Sequence, residues 1–140
     1  MPGIDRPADL SFLPELLGFV ETAAAAVLPP KAVMEVVLAA EEVLMNIITH
    51  AYPGGGGEVR IGVEFQAAPR ALRLIVADDG IAFDPLTAPD PEIDIPLEQR
   101  QIGGLGILLA MRMMDQIVYE RRGGENRLMM EKLAEKEDAP

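Results

Sequence analysis

Pro53 and the four consecutive glycines at positions 54–57 split the first half of the chain into two stretches that cannot belong to one element. Proline removes a helical hydrogen-bond donor, and glycine inside a helix costs about 1 kcal/mol relative to alanine, so a helix arriving from the N-terminal side must stop here. The residues before the break carry a helical period. Val33, Val37, Ala40, Leu44, Ile47 and Ala51 form one stripe of a helix expected from near Lys31, with Glu35, Glu42, Asn46 and His50 opposite. The residues after it carry a strand period, in which Val59, Ile61, Val63 and Phe65 alternate with polar or small neighbours across 58–65.

The rest of the chain extends this pattern. Ser11 is placed to cap a first helix carrying Phe12, Leu16, Leu17, Phe19 and Val20 as far as Val27, which Pro29 and Pro30 end; residues 2–9 give no strand signal. A turn over 67–70 leads into the almost continuous apolar run 72–77, expected to pair as an antiparallel hairpin with the strand before it and to deliver Asp78 at its end. From Asp84 to about Gln101 runs a connection with Pro85, Pro89, Pro91 and Pro96, longer than the usual ~4–6 residues and of the kind that forms lids. Residues 103–106 open a third helix with Leu108, Leu109, Met111 and Met114 for packing and Asp115 near its end. Strands over 117–121 and 127–133 then flank a Gly-Gly turn, before a polar tail.

The order helix, helix, hairpin, helix, hairpin predicts an α+β fold: a two-layer sandwich of a mainly antiparallel sheet with helices on one face. A chain of 140 residues without an internal linker is expected to be one domain, 1–140, with its core over about 10–133. The absence of cysteine excludes a disulfide framework, thiolate metal sites and a cysteine nucleophile. With 12 Lys and Arg against 23 Asp and Glu, the net charge of -11 argues against a nucleic-acid surface or an anionic-membrane surface. A phosphate ligand would therefore need local backbone amides. No leader pattern or apolar run of ~20 residues is apparent, so a cytoplasmic protein is expected.

Three loci carry polar residues in patterns that suit chemistry. They are Glu42 with Asn46, one helical turn apart; "DDGIAFD" over 78–84; and "GGLG" over 103–106. Each also has an ordinary structural explanation, respectively a solvated helix face, a strand-ending turn and a flexible helix start.

Together, in this order and with the long connection between the second and third, they resemble the three boxes of the GHKL (Bergerat) ATP-binding superfamily. The stretches "EEVLMNIITHAYPGG", "VADDGIAFDP", "GGLGILLAMRMMDQIVYER" and "NRLMMEK" are most similar to the stand-alone anti-sigma-factor serine kinases, from about Leu10 to Leu133. The resemblance implies ATP and magnesium as cofactors, Glu42 as general base, Asn46 as the magnesium ligand and Asp78 as acceptor of the adenine amino group. It also implies that Gly80 lets the backbone close on the nucleotide, and that Gly103, Gly104, Leu105 and Gly106 bring amides at a helix start to the phosphates. Ala82 stands where the family commonly has a second glycine, which restricts the backbone there. Arg100 is a candidate for the β or γ phosphate; position alone does not separate this from an exposed loop arginine.

His50 is the only histidine and is read as a supporting hydrogen-bonding residue, since the chain has no separate helical hairpin of the sort that carries a phosphorylated histidine. Met111, Met113, Met114, Met129 and Met130 are read mainly as core filler. The implied function is protein serine kinase activity towards an anti-anti-sigma-like partner, with a sigma factor as a second partner and a homodimeric state. The alternative is an ATP-gated binding module without turnover.

Overall fold

The structure is a computed structural model that describes residues 2–82, 84 and 102–135. In chain order come β1 (Gly3–Pro7), a 3-10 turn (Leu10–Phe12), α1 (Leu13–Ala25), α2 (Pro30–Asn46) and a π turn continuing it (Ile47–Ala51). They are followed by β2 (Glu58–Ala67), β3 (Arg70–Asp78), α3 (Ile102–Met113), β4 (Gln116–Arg122) and β5 (Glu125–Leu133). The strands form one sheet in the order β1-β2-β3-β5-β4, every neighbouring pair antiparallel.

Two-residue alternation gives the sheet its two faces. Val63 lies opposite Leu74, Leu74 opposite Met130, and Met130 opposite Ile117. A second row runs through Ile61, Val76, Leu128 and Tyr119. Side chains in such rows share one face, and these pack with Leu16 and Val20 of α1 and Val36, Ala40 and Leu44 of α2 into the core. Each fully buried aliphatic side chain contributes about 1.5–3 kcal/mol. The opposite face carries ion pairs instead, Arg60 with Asp79 at 2.9 Å and with Glu125 at 2.7 Å, and Arg73 with Glu131 at 2.7 Å. Exposed pairs of this kind contribute only ~0–1 kcal/mol each, so the layer arrangement follows from apolar burial.

Charged side chains do lie on the inner face, Asp78 at the end of β3 and Lys132 on β5. Lys132, only 2% exposed, donates from Nζ to the carbonyl of Met113 at the end of α3 and lies 3.6 Å from Glu35 Oε1 on α2. A cation at a helix C-terminus satisfies an orphan carbonyl and opposes the negative end of the helix dipole. Lys132 thereby ties both helices to β5.

The structure departs from expectation in several places, and Phe65, Leu108 and Leu109, expected to pack, are exposed. Residues 3–7 form β1, which pairs with β2 at the sheet edge; prolines at and beside its ends are tolerated there because an edge strand leaves one row of donors unused. Phe12, not Ser11, stands at the N-cap of α1, without a side-chain cap; the capping seen is on the 3-10 turn before it, where Asp9 Oδ1 accepts from the backbone N–H and the hydroxyl of Ser11, both at 2.8 Å. These hydrogen bonds hold the Asp9 carboxyl below the ordinary value. The buried stripe of α2 is broader than expected, adding Ala32, Val36, Ala39 and Val43 while Val33 and Val37 are only half-buried, because α2 meets the sheet below and another helix beside it. Finally, the helix does not run regularly to the glycines but widens into the π turn.

Met114 and Met130 belong to the core, while Met113 and Met129 are half-buried outside it and Met111 is exposed, so the core expectation holds for two of the five methionines. No helix among the described residues is long and apolar enough to cross a membrane. The expected lid, apart from Asp84, falls outside the described residues.

Candidate functional site

The burial of Val36, Ala40, Val43 and Leu44 fixes the rotation of α2, and with it the flank that carries Glu35, Glu42 and Asn46. Glu35 contacts Lys132 beside the last residue of α3, so this flank faces α3. Because α3 packs along α2 and ends level with Glu35, near the start of α2, it runs antiparallel to α2. Its 12 residues span about 18 Å, close to the rise from Glu35 to Asn46, which brings the first turn of α3 level with Asn46. Residues 103–105 lie in that turn, and the backbone N–H groups of 103 and 104 are among those that lack intrahelical partners. Glu42 and Asn46 are half-buried. Burial pushes the Glu42 carboxyl up from its ordinary value, and the neighbouring Glu41 charge adds to the rise.

The second part of the site is the turn after β3. Asp78 is 3% exposed, and its Oδ1 accepts from the Gly80 N–H and from Asn126 Nδ2, both at 2.9 Å. The next residue points the other way: Asp79 pairs with Arg60 on the outer face, which holds its carboxyl low. Gly80 is buried against the π turn, where a methyl group would overlap the Ala51 carbonyl and come within 2.7 Å of Ala51 Cβ. The Ile81 N–H donates to that same carbonyl at 2.9 Å. Tyr52 completes the junction, its hydroxyl accepting from the Asp79 N–H at 2.9 Å and donating to the Glu58 carbonyl at 2.6 Å. The last carbonyl of the π turn, which has no partner within the helix, is thus satisfied by the turn after β3.

Most of the candidate residues are therefore placed around the α2 terminus: Glu42 and Asn46 on its flank, Asp78 and Gly80 against its end, residues 103–106 alongside. Ala82 is exposed and, since no described non-glycine residue has a positive φ, its side chain introduces no backbone strain. His50 lies in the π turn and is exposed. Arg100 lies outside the described residues. The sequence did not point to Asn126, which donates to Asp78, or to Arg121 and Tyr119, which donate to Asn126. Only the strand register, which sets Asp78 opposite Asn126, identifies them.

A sheet backed by helices on one face, with a carboxylate and an amide on a central helix, a buried aspartate at a strand end and a glycine-rich helix start, defines an ATPase-type nucleotide fold. Residues 6–132 match the model of the histidine kinase-like ATPase domain, and the chain belongs to that family. Among its relatives, the serine/threonine-protein kinase BtrW of Bordetella bronchiseptica is 36% identical over 93 residues, covering 66% of this chain and 65% of BtrW. The serine-protein kinase RsbW of Listeria innocua is 29% identical over 112 residues, covering 76% of this chain and 70% of RsbW. RsbW of Bacillus cereus strain AH820 is 34% identical over 96 residues, 66% of this chain and 59% of that protein. The chain thus spans about two thirds of the curated relatives it matches. Among solved structures, the RsbU and RsbW domains of Rv1364c from Mycobacterium tuberculosis superpose with a TM-score of 0.61 at 13% identity, over 95% of this chain and 32% of that one. The blue-light activated histidine kinase of Erythrobacter litoralis gives 0.58 at 18% identity, over 76% and 32%. At these identities the two structures establish the fold alone.

Proposed function

We propose that the chain is an ATP- and magnesium-dependent protein serine kinase of the anti-sigma-factor type, which phosphorylates an anti-anti-sigma-like partner and also binds a sigma factor. The observation that carries this reading is the placement of Glu42 and Asn46 on the α2 flank level with the start of α3. Relatives named as serine-protein kinases support it.

Bound ATP with magnesium would supply the γ-phosphoryl group and the charge neutralisation that phosphoryl transfer needs. The residues present fit such a ligand. The free amides of the first turn of α3 can hold phosphate oxygens, and the helix dipole supplies an attraction that the acidic chain as a whole lacks. Asn46 offers one neutral oxygen to a cation that keeps most of its water, and the described residues hold no group of three or more acidic or histidine side chains that could bind it alone. Asp78 offers a carboxylate at the strand end to an amino-bearing base. Glu42 takes the proton from the attacking serine hydroxyl, and the upward push that burial gives its pKa makes its carboxylate a better acceptor.

The test is transfer of labelled γ-phosphate from ATP to a serine of a cognate partner, with magnesium, across a range of pH. Since transfer needs Glu42 deprotonated, the rate should fall on the acid side at a pH above the ordinary glutamate value of about 4.3. Glu41→Gln removes one cause of the elevation, so its acid limb should move to lower pH. No transfer to any cognate partner despite ATP binding would refute the kinase assignment.

A further inference from the structure

We propose that Asn126, oriented by Arg121, is the positioning residue that makes Asp78 select a base carrying an amino donor; this rests on the ATP reading above. A carboxylate has two oxygens, and the hydrogen bonds made by the described residues to Asp78 both fall on Oδ1, from the Gly80 N–H and Asn126 Nδ2. Oδ2 is the oxygen left to accept from a ligand. That division depends on which end of the Asn126 amide faces Asp78, because the reversed amide would set a carbonyl against a carboxylate.

Two neighbours determine the orientation. Arg121 can only donate, and its Nη1 lies 3.0 Å from Asn126 Oδ1 and 2.7 Å from the Gly80 carbonyl. The Tyr119 hydroxyl donates to the same Oδ1 at 2.6 Å. The amide oxygen is thus held towards β4, and Nδ2 is turned to Asp78 and to the Ile81 carbonyl, 2.8 Å away. Asn126 is 5% exposed, so water cannot readily replace these contacts. Edge strand β4 therefore controls, through one buried amide, the direction in which Asp78 presents its acceptor. Adenine offers an amino donor at its 6-position, where guanine has a carbonyl acceptor. Removing the amide frees the carboxylate to rotate, and the preference for the donor should weaken while the phosphate contacts at α3 are untouched.

Calorimetric titration of the full chain with MgATP and with magnesium purine riboside triphosphate, which lacks the 6-amino group, separates base reading from phosphate binding. A hydrogen bond to a charged acceptor corresponds to a preference of roughly 10- to 100-fold for ATP in the wild type. Asn126→Ala should bring the two affinities within about fivefold, by weakening ATP and leaving purine riboside triphosphate within about threefold of wild type. A merely structural loss would lower both equally. Arg121→Met, an exposed position, should narrow the preference in the same direction and decides the matter if Asn126→Ala does not fold. An unchanged preference in the folded variants, or equal loss of both ligands, overturns the inference alone. A wild type that binds neither nucleotide overturns the ATP reading and this inference with it.

Discussion

Glu42→Gln is expected to slow phosphoryl transfer about 10²- to 10⁴-fold while changing ATP affinity less than about threefold. Glutamine keeps the shape of the side chain and its hydrogen-bonding reach but cannot take a proton. Glu42 lies half-buried on the flank of α2, where burial and Glu41 already disfavour its charge, so removing that charge should not destabilise the fold. Single-turnover transfer to the partner gives the rate, and calorimetry gives the affinity. A variant that retains transfer within tenfold would show that another group accepts the proton, and a variant that loses ATP binding would place Glu42 in the ligand contact instead.

Gly80→Ala is expected to cost about 1–3 kcal/mol of stability and to weaken ATP binding at the same time. The need for glycine here comes from proximity: the added methyl would overlap the Ala51 carbonyl, a backbone atom that cannot swing away. Relief requires the turn to withdraw from α2, which breaks the Ile81 to Ala51 hydrogen bond and displaces Asp78. Denaturant unfolding and nucleotide titration should therefore change together. Gly18→Ala is the control, since a methyl there meets nothing within 4 Å on α1 and alanine favours the helix. A Gly80→Ala protein as stable as wild type would mean that the junction between β3 and α2 is not held by this contact.

The fold was legible where one physical signal dominated. The glycine run ended a helix, alternation exposed β2, and the almost continuous apolar run over 72–77, broken only by Arg73, announced the central strand. β1 was not legible because its five residues are proline-flanked and polar, and only their pairing with β2 makes them a strand. The start of the first helix was misread because a 3-10 turn capped by Asp9 precedes it and takes up Ser11, leaving Phe12 at the N-cap of α1, and sequence spacing does not reveal such a turn.

The candidate site was legible as chemistry along α2 and at Asp78, since those residues have recognisable types and spacing. Its support was not. Asn126 is separated from Asp78 by 48 positions and reaches it only through the β3–β5 register, and the Gly80 contact is made with Ala51, the last residue of the π turn, 29 positions earlier. Local sequence carries neither fact.

The central claim, that α2, the β3 turn and the start of α3 together form an ATP site, is tested most directly by the dependence of unfolding free energy on MgATP. A ligand at 100 times its dissociation constant should add about 2.7 kcal/mol to the wild type. Asp78→Asn, which replaces one carboxylate oxygen by a donor, should lose most of that gain, and MgGTP should give little of it. No stabilisation of the folded wild type by MgATP at millimolar concentration, or an equal response to MgGTP, would contradict the account.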